Sequence, residues 1–240
     1  MTSGSHARRI LVLLGAIAAS FALFAVWPDL DLLVTALFHD PALGFSAADT
    51  GWPNQMRLAV WRVSELVLVA SIGALVYGVI RRRDILGLPR RIWVFILVLY
   101  TVGPGILVDV VLKPAWGRAR PANVLEFGGT LNFTPPTQFA GECARNCSFV
   151  SGEVSGAVAL AVALLLILVH LRARMSGMAF RIAVALVMAV PVLIALQRIA
   201  AGRHFLSDAI FAALFTLLVA ALLDAAIGTK GWITTRMGRR

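Results

Sequence analysis

Two short stretches place anion-handling residues at fixed spacings. In KPAWGRARP, residues 113–121, Lys113 stands seven positions before Arg120, and Pro121 follows. In RIAAGRHFLSD, residues 198–208, Arg198 stands six positions before His204, and Asp208 follows His204 by four. Arginine forks grip phosphate oxygens in pairs, and lysine adds a point charge. On a helix, His204 and Asp208 share one face, one turn apart. A carboxylate so placed can keep one imidazole nitrogen protonated and leave the other free to attack. Between these stretches lies SFVSGE, residues 148–153, with Ser151, Gly152 and the single carboxylate Glu153. If a helix begins at Val154, its first amides favour an anion at this point. Arg118 and Arg203 complete the basic set, and each of these two alone also suits a side chain that snorkels to lipid headgroups. The inventory fits phosphate best.

Something must carry these stretches to one place. Six segments are apolar over the roughly 20 residues needed to span a bilayer: 10–27, 58–80, 92–112, 154–171, 178–196 and 205–227. The expected fold class is therefore all-α, a polytopic membrane protein with six transmembrane helices and one membrane domain over 1–240. The first segment follows HARR but lacks a small-residue cleavage site, so it reads as a retained anchor. Arginines concentrate at the N-terminus, in RRRDILGLPRR, in RARMSGMAFR and in the C-terminal tail. The positive-inside rule then puts both termini in the cytoplasm. The loop 113–153, which carries Lys113 through Glu153, falls outside, together with Arg198 and His204. Basic residues held on the unfavoured side suggest a specific task.

Composition agrees. Of 240 residues 60% are hydrophobic, and the mean hydropathy is +0.86; soluble domains carry about 45–50% apolar residues. The net charge of +10 does not point to nucleic acid, because the basic residues gather at the ends of apolar runs. Cys143 and Cys147 lie in the outer loop, where a disulfide and two free thiols are the alternative readings. Trp52, Trp61, Trp93, Trp116 and Trp232 lie near span ends, as interfacial anchors do. Asp109, four residues before Lys113, is placed to pair with it. Glu65 is expected to pair with Arg62 or to face the bundle interior. Asp224 is expected in solvent near the cytoplasmic end, and His39 and His170 are read as structural.

The pattern K-x6-R-P, then S-G, then R-x5-H-x3-D, on six spans, resembles the three-part signature of the type 2 phosphatidic acid phosphatase superfamily of membrane lipid phosphatases. The resemblance implies roles. Lys113, Arg120 and Arg198 would bind phosphate oxygens, with Ser151 and Gly152 adding hydroxyl and backbone donors. His204 would attack phosphorus to form a phosphohistidine, and Asp208 would orient it. Neither a metal nor any other cofactor is implied, since the cations already stabilise the transferring group. Two positions depart from the pattern. Gln197 replaces a usual serine and can still hydrogen-bond. Glu153 replaces the histidine thought to protonate the leaving group.

A free glutamate is mostly ionised at neutral pH, and a carboxylate among phosphate ligands repels substrate. Desolvation and bound phosphate raise its proton affinity, and neighbouring cations lower it. Three readings of Glu153 stand: a substituted general acid, a residue that pairs with a cation or a substrate amine and only positions groups, or the mark of a weak or dead enzyme. The resemblance implies a membrane lipid phosphatase; the arginine- and alanine-rich composition, similar to that of proteins from GC-rich bacteria, and the outward loops add the expectation of a bacterial inner membrane and a periplasmic site. Its expected substrate is phosphatidylglycerophosphate, phosphatidic acid, an isoprenoid pyrophosphate or a lipid A phosphate. The alternatives are a lipid phosphotransferase that uses the same intermediate, an anion transporter and a binding protein with a relic site.

Overall fold

The computed structural model describes residues 3–45, 50–85 and 87–227. The basic C-terminal tail and Trp232 lie outside them. Among the described residues the chain is helical, with only isolated β-bridges. The elements are α1 (Ser3–Val26), α2 (Leu30–Ala36), α3 (Gly51–Arg81), α4 (Arg90–Tyr100), α5 (Lys113–Trp116), α6 (Gly152–Leu171), α7 (Gly177–Ala200) and α8 (Leu206–Ile227). A π-helical segment, Thr101–Leu112, runs unbroken between α4 and α5. Six helices are long and apolar enough to cross a membrane: α1, α3, the composite that begins with α4, α6, α7 and α8. Several extend well past the expected edges: α1 starts at Ser3 rather than Ile10, α3 at Gly51 rather than Leu58, the composite span runs to Asn123 rather than Leu112, and α7 ends at Ala200 rather than Leu196.

α6 is the hub of the bundle. It packs against α3, α4, α7, α8 and the π segment. Its most apolar window is 56% buried, against 6% for α1 and α7. The reason lies in its small residues. Ala157, Ala159, Ala161 and Ala163 are all buried and let neighbouring backbones approach closely. The Ser155 and Thr216 hydroxyls, 2.7 Å apart, join α6 to α8. One apolar cluster combines Ile92, Phe95, Ile96 and Leu99 of α4 with Ala159, Leu160 and Ala163 of α6. A second, nearer the loop 113–153, gathers Phe24, Val108, Phe149, Val154 and Phe211. Large apolar side chains stay exposed on the outer faces, among them Leu11, Val69, Ile80 and Leu186. Such a surface suits lipid, where no hydrophobic penalty attaches to it.

The π segment contains Pro104, which lacks an N–H, between Gly103 and Gly105. π-helix is rare, mostly single-turn bulges that are frequent at functional sites. This one ends directly at Lys113.

Several expectations change here. Trp93 is buried in the α4 core and is not an interfacial anchor, whereas the half-buried Trp116 packs on Phe149 and donates to the Pro136 carbonyl. Trp52 and Trp61 remain exposed. Asp224 is not simply solvated, since it lies 3.4 Å from His6 and 3.5 Å from Arg9, which tie α8 to α1. Glu65 accepts from the Trp61 indole at 2.7 Å. His39 packs against Phe45 and Phe127.

Candidate active site

Alternating spans bring the ends of α1 and α7, the start of α6 and the start of α8 to one end of the bundle, together with α5 and the loop that follows it. Three local devices then set the site.

The first is a tight turn after α7. Gly202 adopts a positive φ of 64°, which a Cβ would strain. Its N–H donates to Ile199, and the Arg203 and His204 amides both donate to the Arg198 carbonyl. The turn folds His204 back over Arg198. Ala122 of the long loop donates to the Gly202 carbonyl, fastening the segment after Arg120 to the same turn.

The second is the start of α8. Asp208 sits in its first turn, and one carboxylate oxygen accepts the Phe205 amide at 2.8 Å. That is half of a capping box, and it places a negative charge where the helix dipole favours one. Asp31 of α2 adds a second carboxylate at this helix end, accepting the Ser207 amide at 2.8 Å and the Ser207 hydroxyl at 2.5 Å. Arg118 joins the two acids. Its Nη1 donates to Asp208 at 2.7 Å and its Nη2 to Asp31 at 2.9 Å. Its Nε donates to the Thr134 carbonyl, and its plane lies 4.3 Å from the Phe205 ring centre. All three charged side chains are fully buried. Arg118 therefore does not snorkel to lipid, because two carboxylates and an aromatic face satisfy it inside. Burial raises the Asp31 carboxyl above its usual range; Arg118 opposes the rise and Asp208 adds to it.

The third is the loop 113–153. Cys143 and Cys147 are joined as a disulfide. Within that small ring Asn146 takes a positive φ of 54° and faces Arg120. Arg120 donates from Nε and Nη2 to the Asn146 carbonyl at 3.0 and 2.9 Å, and from Nη2 to its side-chain oxygen at 2.8 Å.

His204 is nearly fully buried, and its Nδ1 lies 2.8 Å from the Ser148 carbonyl oxygen. A carbonyl can only accept, so Nδ1 carries the hydrogen and Nε2 keeps a free lone pair. The Asp208 carboxylate stands 3.8 Å from the same Nδ1, beyond a direct hydrogen bond. It accepts the Ser148 hydroxyl at 2.5 Å instead. Asp208 thus holds Ser148 by its side chain, and Ser148 holds the imidazole by its carbonyl. Burial lowers the His204 pKa below the ordinary imidazole value; Asp208 opposes this, and Arg120 and Arg198 push the same way as burial.

A cavity of about 680 Å³ unites the rest. Lys113, Arg120, Gly152, Glu153, Arg198 and His204 all line it, so the three motifs meet on one space. Its cations also include Arg57 and Arg145, against the carboxylates Glu65, Asp109 and Glu153, an excess of two positive charges. Lys113 Nζ pairs with Asp109 at 2.6 Å across one turn, the pairing expected from the spacing. Glu153 lies 2.7 Å from Arg57 Nη1 and 2.6 Å from Arg198 Nε. Away from the charges the wall is formed by Val60, Leu68, Tyr100, Pro104, Ala157 and Ile194. Ser151 is not among the lining residues. It is fully buried and caps α6, its oxygen accepting the Val154 amide at 3.3 Å. Arg203 is also not among the lining residues.

Three participants, Arg57, Asp31 and Ser148, belong to none of the recognised spacings, and Arg118 stands in the basic set as a phosphate ligand or a lipid-facing side chain rather than as a buried anchor. Only Asp31 carried a faint signal, as an acid within the apolar run LDLLV.

Six apolar helices, with a cationic cavity and a buried histidine at one end, describe a membrane enzyme that works on a phosphate ester. The chain belongs to the PAP2 superfamily, which it matches over residues 93–232. It is a phosphoric ester hydrolase of the lipid phosphatase kind. Over 220 residues it is 31% identical to a lipid A 4′-phosphatase of Rhizobium leguminosarum, an alignment that covers 86% of this chain and 91% of the relative. A lipid A 4′-phosphatase of Francisella tularensis subsp. novicida is 29% identical over 219 residues, covering 88% and 92%. No solved structure matches the chain.

Proposed function

We propose that the protein removes a phosphate monoester from lipid A in the bacterial cytoplasmic membrane, through a phosphohistidine on His204, with its site facing the periplasm. The observation that carries this is the cavity, cationic around His204 and apolar toward Leu68, Tyr100 and Pro104. An amphiphile can keep its chains in the bilayer while its phosphate reaches the cations. The excess of two positive charges suits a phosphomonoester, which carries about −1.5 to −2 near neutral pH. The relatives' lipid A 4′-phosphatase activity supports the substrate. Arginines in 81–91 and 172–181 at the opposite end support cytoplasmic termini.

The neutral Nε2 of His204 attacks phosphorus, and the bond from phosphorus to the sugar oxygen breaks. Glu153 acts as the general acid, giving a proton to that oxygen from one carboxyl oxygen while the other still accepts from Arg57 Nη1. Lys113, Arg120 and Arg198 hold the equatorial oxygens as charge spreads over them. Water then attacks phosphorus, loses a proton to the Glu153 carboxylate, and releases inorganic phosphate and free His204. The test is phosphate release by purified protein, without added acceptor, from lipid A, phosphatidic acid, phosphatidylglycerophosphate and an isoprenoid pyrophosphate. Lipid A should be preferred, and His204→Ala should abolish release. Full activity of His204→Ala sinks the mechanism, and phosphate appearing only with an acceptor makes the enzyme a phosphotransferase. Glu153→Gln should lose turnover, least for a good leaving group, while Glu153→His retains much of it.

A further inference from the structure

Glu153 does more than stand near the phosphate ligands; it occupies one of them. Its two oxygens divide between Arg57 Nη1 at 2.7 Å and Arg198 Nε at 2.6 Å. Arg198 also spends Nη1 on the Gln197 side chain at 3.2 Å. A guanidinium grips phosphate in pairs of adjacent N–H groups. On Arg198 one such pair includes Nε, which the Glu153 carboxylate covers at 2.6 Å as an ion pair without hydrogen-bond alignment, and the pair at the other edge includes Nη1, hydrogen-bonded to Gln197. A phosphate taking the Nε edge must displace the Glu153 carboxylate.

The displaced carboxylate has somewhere to go. Arg57 projects from α3, opposite Arg198 on α7, and its own Nε is fixed by Asn54 at 3.0 Å. Glu153 can release Arg198 and keep Arg57. The side chains of Arg57 and Glu153 are each about a quarter exposed (22% and 24%), which leaves room for that shift, whereas Arg198 is nearly buried at 7%.

We propose that Glu153 is a built-in stand-in for phosphate that closes the empty site, and that Arg57 is the positioning residue that draws it aside when a phosphomonoester takes Arg198. This rests on Arg198 being a phosphate ligand, as proposed above. The consequence is selection by charge. A membrane presents phosphodiester headgroups in great excess, each with a single negative charge on its phosphate. Such a group gains little by replacing a carboxylate of equal charge, while a phosphomonoester, near −2, gains more. Rejection by a competing charge is a recognised route to specificity.

The experiment measures inorganic phosphate binding in detergent by wild type, Glu153→Gln, Arg57→Gln and the double variant, with and without excess phosphatidylglycerol. Glu153→Gln should bind phosphate at least tenfold more tightly and be competed by phosphatidylglycerol, to which wild type is indifferent. Arg57→Gln should weaken phosphate binding, and that loss should largely vanish in the Glu153→Gln background. If Arg57 were simply another phosphate ligand, its loss would weaken binding equally in both backgrounds. Equal loss in both backgrounds, or a Glu153→Gln protein still indifferent to phosphatidylglycerol, overturns the proposal and leaves the phosphatase mechanism intact. If none of the four proteins binds phosphate while wild type still hydrolyses lipid A, the assignment of Arg198 falls, and this proposal with it.

Discussion

Arg118 meets Asp208 at 2.7 Å with neither side chain exposed, and the same guanidinium holds Asp31 at 2.9 Å. One arginine therefore anchors α2, the long loop and the start of α8 around the residue that supports His204. Breaking a buried pair from one side leaves an uncompensated charge and typically costs about 3–5 kcal/mol. Arg118→Met should lower thermal stability in detergent by that order and remove activity with it. A melting temperature equal to that of wild type would show that the cluster is not a structural anchor.

The imidazole must be neutral to attack. Its pKa is lowered from the ordinary value of 6.5, so on acidification the folded protein protonates His204 later than the unfolded chain does. The acid limb of kcat/KM should therefore lie below pH 6.5. The stability linked to His204 is intact above about 6.5 and declines as pH falls toward the folded pKa, because the unfolded chain takes its proton first. An acid limb above pH 6.5 would show that the neutral His204 imidazole is not the group it reports.

Gly152 leaves space that Lys113 uses. A Cβ there would lie 3.1 Å from Lys113 Nζ and 3.2 Å from Asp109 Oδ1. Gly152→Ala should push the pair aside and reduce kcat/KM by about tenfold, which corresponds to roughly 1.4 kcal/mol, with little change in stability. Unchanged kinetics would mean that Lys113 tolerates the shift.

Arg120 depends on Asn146, which lies between the bonded Cys143 and Cys147. Replacing both cysteines by serine, or reducing the native protein, should raise KM severalfold while kcat holds to within about twofold. A fall in kcat alone would place the effect elsewhere.

The sequence made the spans readable because bilayer thickness imposes a length and apolar character that local composition reveals. It also made the cations, His204 and Asp208 readable, since each motif sits within one short segment whose spacing carries meaning. Arg57, Asp31 and Ser148 were not readable. Arg57 meets Glu153 across 96 residues of chain, and Asp31 meets Arg118 across 87. Contacts of that separation leave no periodicity behind. The buried role of Arg118 was hidden for a related reason, because a basic residue in a membrane loop looks the same whether its carboxylate partners are near or absent. Ser151 shows a second role that the motif spacing did not carry, since its hydroxyl oxygen also caps α6.

The π segment has a consequence for how this span is mapped. An α-helix turns about 100° per residue, and a wheel drawn at that step through Arg90–Trp116 loses phase from Thr101 onward. Side chains above and below the segment that share a stripe on such a wheel do not share a face in the molecule. A scanning experiment across this span must therefore be indexed in two frames, one before Thr101 and one after Leu112, and Lys113 belongs to the second.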